Sequence, residues 1–199
     1  KFDRSLLSHL YTAAWESWSE YTAEVVGHGS RTGMVAALHT AGDLLSFHPH
    51  VHTMALSGAI DDAGTFHELP LNIDTARICE LFRDEVFAAL LGEELLDEET
   101  IASMKSWSNS GFSVFASDPI EPEDLERLLF VARYLKRCPV SNERMLIDET
   151  DGNNPRVLYT SYKDGAAVST REFSPLEFLA ELSQHIPDTF EQTTRFFGL

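Results

Sequence analysis

Hydrophobic and polar positions follow two rhythms along this chain, and the changes of rhythm mark its elements. Over residues 2–26, Leu6, Leu7, Leu10, Ala14, Trp18 and Tyr21 recur at helical spacing, and Gly27-His28-Gly29-Ser30 ends the run. Residues 34–40 are apolar and bounded by Gly33 and Gly42, which reads as a buried strand. Residues 50–60 alternate: Val51, Thr53 and Ala55 share one face, and His50, His52 and Met54 share the other. The short link over 42–49 suits antiparallel neighbours. Asp61-Asp62-Ala63-Gly64 reads as a turn into a short return strand over 66–71.

The helical rhythm then resumes. Ile78, Leu81, Phe82, Val86 and Leu90 form the apolar stripe of a helix over 74–91. A second helix is expected over 98–107 and a short strand over 112–116. Residues 121–136 form the next helix, with Pro122 in its first turn. Its acids come early and its bases, Arg133, Lys136 and Arg137, come late, as the helix dipole favours. Pro139 ends it. Residues 145–148 and 156–163 pair as a hairpin across Asp151-Gly152-Asn153-Asn154, and a further strand follows over 167–173. Ser174 caps a helix running to His185, with Glu177 completing a capping box. A last strand is expected over 190–197. The order predicts an α+β fold, one mainly antiparallel sheet with helices packed on it, as a single domain over 1–199.

Composition narrows the class. Hydrophobic residues make up 43% and charged residues 24%, which supports a packed core and excludes wholesale disorder. No apolar run reaches transmembrane length, and no signal peptide is visible, so no membrane partner is expected. Cys79 and Cys138 form no CxxC pair or disulfide framework, which points to a reduced, cytoplasmic setting. The net charge of −17 excludes a basic footprint over the whole surface. It does not exclude one on a single face, because the acids cluster at Asp61-Asp62, Glu93-Glu94, Asp97-Glu98-Glu99 and residues 121–126.

Two groups carry candidate chemistry. His50 and His52 stand at i and i+2 of a strand, so both imidazoles point to one face and can meet one cation; His48 shares their parity. Such a pair can hold a divalent metal as a Lewis acid on a phosphate oxygen. Tyr134 lies late on a helix beside Arg133, Lys136 and Arg137. A tyrosine that attacks a phosphodiester must lose its proton near positive charge. A half-buried tyrosine on a helix is otherwise a packing residue with its hydroxyl at the surface.

Order along the chain adds a resemblance. The segment Leu38-His39-Thr40-Ala41-Gly42-Asp43-Leu44-Leu45-Ser46-Phe47-His48-Pro49-His50-Val51-His52 resembles the metal-motif region of the rolling-circle transposases of bacterial insertion sequences, the two-tyrosine family and its single-tyrosine common-region relatives. Phe130-Val131-Ala132-Arg133-Tyr134-Leu135-Lys136-Arg137-Cys138-Pro139-Val140-Ser141 resembles their tyrosine helix. Tyr162-Lys163-Asp164, Glu172-Phe173, His185-Ile186-Pro187 and Phe197-Gly198-Leu199 are similar to the family's C-terminal part.

The resemblance implies an HUH endonuclease fold, a central antiparallel sheet flanked by helices. It implies that His50 and His52 bind Mg²⁺ or Mn²⁺, and that Tyr134 attacks single-stranded DNA at transposon ends and target and becomes joined to the 5′ phosphate. The strand can then be rejoined without ATP. The family's first tyrosine position falls on Phe130, one helical turn before Tyr134, so only single-tyrosine chemistry is expected from this pair. The alternative is a relative that binds DNA without cleaving it. A carboxylate suits a hard cation, which ranks Asp43 first as third ligand, with His39 and His48 as rivals; Asp43 beside Gly42 is equally a turn residue. Arg133, Lys136, Arg137 and Lys163 are candidate DNA contacts. The family's cysteine-rich zinc-binding segment has no counterpart here, as expected of an excised or shortened catalytic domain.

Overall fold

The computed structural model describes residues 3–138 and 140–199; the helix start expected at Phe2 and the stop at Pro139 lie outside them. The elements are α1 (Ser8–Val26), preceded by a 3₁₀ turn (Arg4–Leu7), β1 (Gly33–Ala41), β2 (Phe47–Ala55), β3 (Gly58–Ile60), β4 (Phe66–Glu68), α2 (Thr75–Gly92), α3 (Glu98–Lys105), α4 (Leu125–Leu135), β5 (Met145–Asp148), β6 (Arg156–Lys163), β7 (Ala166–Phe173), α5 (Pro175–Ser183) and β8 (Thr194–Gly198). No helix among the described residues is long and apolar enough to cross a membrane.

The α+β class holds, with antiparallel sheets and helices. The strands form three sheets in place of one: β2-β1-β8, β3-β4 and β5-β6-β7. Three further expectations shift. The strand over 50–60 breaks into β2 and β3 around Leu56 and Ser57. Residues 112–116 form no strand, and Phe112 instead turns its ring edge-on to Phe82 and Phe87. Pro122 lies ahead of α4, whose first turn is tied by Asp124 accepting from the Arg127 N–H at 3.1 Å.

The chain divides into two compact units. One comprises Lys1–Ala37, Val51–Leu135 and Thr194–Leu199, the other Leu38–His50 and Lys136–Thr193. In the first, α1 packs on α2, and Tyr21, Leu69 and Ile78 form a buried cluster flanked by Trp18, Ile73 and Leu81. The Tyr21 hydroxyl accepts from the Asp74 N–H at 3.0 Å, while the Asp74 carboxylate caps α2 through the Arg77 N–H. β8 pairs antiparallel with β1, from Gly33 opposite Gly198 to Ala37 opposite Thr194. Gly198 has φ +78, and a Cβ there would meet the Thr32 carbonyl oxygen at 2.1 Å, so only glycine closes this edge.

In the second unit, β6 sits between β5 and β7, and Val157, Tyr159 and Ser161 point to one buried face. Phe178 of α5 packs there with Val157, Tyr159 and Phe173, and the cluster is completed by Leu45 from the link between β1 and β2. The α5 start is as expected: Ser174 and Glu177 close a reciprocal capping box.

Candidate metal centre

β1 and β2 are hydrogen-bonded neighbours, joined by a turn in which the Gly42 N–H donates to the Ser46 carbonyl at 2.9 Å. Side chains alternate along each strand. On β1, Met34, Ala36, Leu38 and Thr40 share a buried face, and His39 points to the opposite one. On β2, His48, His50 and His52 share a parity, and Phe47 points the other way. The hairpin thereby gathers imidazoles on one side.

His39, His50 and His52 each offer a ring nitrogen, and these atoms lie within 4.8 Å of one another. The His39 and His50 rings meet at right angles, 5.7 Å between centroids. His50 Nδ1 is 2.7 Å from the carbonyl of His48. A carbonyl only accepts, so Nδ1 carries the proton and the lone pair resides on Nε2. Metal-bound histidines commonly have this arrangement, one nitrogen anchored to a carbonyl and the other ligating. Burial lowers the His50 pKa, opposed by the His48 carbonyl and helped by the neighbouring His39 and His48 rings. The neutral, ligand-competent form is therefore favoured.

The donor set fits a divalent cation. Three half-buried imidazoles, with ring nitrogens within 4.8 Å of one another, could supply nitrogen ligands to one ion. The structure gathers His50 and His52 with His39 and does not place Asp43 among them. Asp43 is exposed in the β1–β2 turn, where its carbonyl accepts from Arg144. The signal for His39 was present as one of three candidates, but its place depends on which β1 residue lies beside His50.

Tyr134 occupies the last turn of α4 and is 38% exposed. Its ring stands edge-on to His52, with centroids 4.8 Å apart. Phe130, one turn earlier, is 69% exposed. Arg133 on α4, Lys136 and Arg137 just beyond it, and Lys163 at the end of β6 are all exposed.

With this geometry in place, the comparisons identify the class. A family model described as "Putative transposase" (Y2_Tnp) matches residues 33–199. The chain belongs to this transposase family. It is 26% identical to the transposase for insertion sequence element IS801 of Pseudomonas savastanoi pv. phaseolicola, over 99% of this chain and 49% of that protein. It is 26% identical to the "Putative transposase y4qJ" of Sinorhizobium fredii (strain NBRC 101917 / NGR234), over 95% of this chain and 51% of that protein. The chain thus spans about half the length of the curated relatives it matches. No solved structure matches it.

Proposed function

We propose that this chain is an HUH-type catalytic domain that nicks and rejoins single-stranded DNA, with Tyr134 as nucleophile and a divalent metal held by His39, His50 and His52. The observation that carries the reading is the contact of Tyr134 with His52, a member of the imidazole cluster. A bound Mn²⁺ or Mg²⁺ would polarise the scissile phosphate. Tyr134 would lose its phenolic proton to solvent or a basic group and attack phosphorus. A Tyr–O–P bond to the 5′ phosphate forms as the bond to the 3′ oxygen breaks, and that oxygen takes up a proton. Reversal by a 3′ hydroxyl rejoins the strand, because the phosphodiester energy is kept in the phosphotyrosine. Arg133, Lys136, Arg137 and Lys163 are the proposed phosphate contacts. Such an enzyme would work where DNA is handled, in the cytoplasm.

The test is incubation of the protein with end-labelled single-stranded oligonucleotides and Mn²⁺. A denaturation-resistant adduct on the 5′-phosphate fragment supports the reading, and its absence in Tyr134→Phe assigns the nucleophile. Phe130, which has no hydroxyl at the preceding turn, favours a second reading: a relative that binds DNA without cutting it. Binding without adduct or cleavage over a broad oligonucleotide panel would establish that instead.

A further inference from the structure

The turn joining β1 and β2 is held by three donors from distant parts of the second unit, each on a successive carbonyl. Arg144 Nη2 donates to the carbonyl of Asp43. Arg171 Nη1 donates to that of Leu44 at 3.5 Å. His185 Nε2 lies 3.0 Å from that of Leu45. Each donor is itself fixed. Arg144 also donates to the Thr160 carbonyl at 2.9 Å and lies over the Tyr159 ring. Arg171 pairs with Glu181 at 2.7 Å and lies over the Phe173 ring. His185 is buried, with Nδ1 3.0 Å from the Thr40 hydroxyl and its ring parallel to Phe47.

The tautomer of His185 follows from its partners. Leu45 offers only a carbonyl, so Nε2–H donates there and Nδ1 accepts from Thr40. Thr40 and Phe47 are the backward-facing neighbours of His39 and His48, since adjacent strand residues point to opposite faces. His185 therefore grips the rear of the hairpin whose front carries the imidazoles. The turn needs such restraint: Leu45 has φ +61, a conformation costly for a residue with a Cβ, and it persists because the side chain is fully buried and its carbonyl is bonded.

We propose that Arg144, Arg171 and His185 are positioning residues that set the spacing of His39 and His50 through the Asp43, Leu44 and Leu45 carbonyls, and so tune affinity for the divalent ion. The inference rests on the metal reading above. Groups hydrogen-bonded directly to metal ligands shift affinity by about 10–100-fold, and restraint through the turn backbone is expected at the lower end of that range.

The experiment is Mn²⁺ titration of the purified chain, followed by the electron paramagnetic resonance of unbound Mn²⁺, with no DNA present. His185→Phe fills the ring volume but lacks both hydrogen bonds, and its Mn²⁺ dissociation constant is expected to rise about tenfold. His185→Gln can return an N–H to the Leu45 carbonyl and is expected to recover most of the affinity. Arg144→Met keeps packing over Tyr159 without the donor, so it reads the same effect where His185→Phe folds poorly, and a weaker Mn²⁺ affinity is expected. Unchanged affinity in folded His185→Phe or Arg144→Met, with only a lower melting temperature, overturns the inference and leaves these side chains as scaffold. A wild-type chain that binds no Mn²⁺ overturns the metal reading and this inference together.

Discussion

The ring of Tyr134 stands edge-on to the ring of His52, with planes at 84° and centroids 4.8 Å apart. This contact joins the helix bearing the proposed nucleophile to the strand bearing the imidazoles. Tyr134→Phe keeps the ring and removes only the hydroxyl. The expected outcome is complete loss of the covalent DNA adduct with Mn²⁺ affinity unchanged. A mass-spectrometric search for a nucleotide-linked peptide checks it, and an adduct persisting in Tyr134→Phe would remove the assigned role.

His39 and Asp43, the two candidate third ligands, have different surroundings. His39 belongs to the imidazole cluster, and Asp43 contributes a backbone carbonyl to Arg144. His39→Ala is expected to weaken Mn²⁺ binding by about tenfold or more, since loss of a ligand should exceed loss of a supporting group. Asp43→Ala leaves that carbonyl in place and is expected to bind Mn²⁺ as the wild type does. Calorimetric titration of both variants decides between them.

What the sequence disclosed follows from the range of the forces involved. Helical stripes such as Ile78, Leu81 and Val86, the Ser174–Glu177 cap and the β5–β6 hairpin are local patterns, and all were legible. The parity of His50 and His52 was legible for the same reason. Asp43 ranked above His39 on ligand hardness alone, because the proximity of His39 to His50 depends on how the β1–β2 turn is built. The turn is built by Arg144, Arg171 and His185, which lie a hundred residues or more along the chain. The β1–β8 edge is equally non-local: a last strand was expected over 190–197 without a partner, and it pairs with β1 where Gly198 leaves no room for a Cβ. Phe112 reads as strand by its neighbours but is used as a ring against Phe82 and Phe87.

Leu45 tests the turn's dependence on the second unit's core. Its side chain is wholly buried with Val157, Tyr159, Phe173 and Phe178. Leu45→Ala leaves a cavity and keeps the unfavourable φ, so it is expected to destabilise the chain by roughly 2–5 kcal/mol. Urea unfolding followed by tryptophan fluorescence and circular dichroism measures it. A loss below about 1 kcal/mol would mean that the site collapses around the smaller side chain.

The cap of α5 gives the chain an acid-sensitive element. Hydrogen bonds from the Ser174 backbone and side chain lower the Glu177 pKa from its ordinary 4.5. A carboxyl lowered in the folded state stabilises fully above its unfolded value. That contribution is lost as pH falls through the folded value. Glu177→Gln removes the titration and keeps an acceptor. The melting temperature of the wild type is expected to exceed that of Glu177→Gln near neutrality, with the gap closing below pH 4.5. A gap independent of pH would exclude the ionised cap as its source.

The donor set finally bears on the choice of ion. Mg²⁺ prefers oxygen ligands and sheds its waters reluctantly, whereas Mn²⁺, though the weakest binder of the first-row divalent series, accepts nitrogen ligands more readily than Mg²⁺ does. His39, His50 and His52 present nitrogens, and Asp43 adds no carboxylate to the cluster. Mn²⁺ is therefore expected to half-saturate adduct formation at a lower concentration than Mg²⁺, and chelation is expected to abolish the adduct. If His39 is a ligand, His39→Asp should narrow the difference between the ions, because a carboxylate in its place supplies the oxygen that Mg²⁺ prefers. Adduct yield against metal concentration for both proteins provides the measurement, and an unaltered preference in His39→Asp would remove His39 from the ligand set.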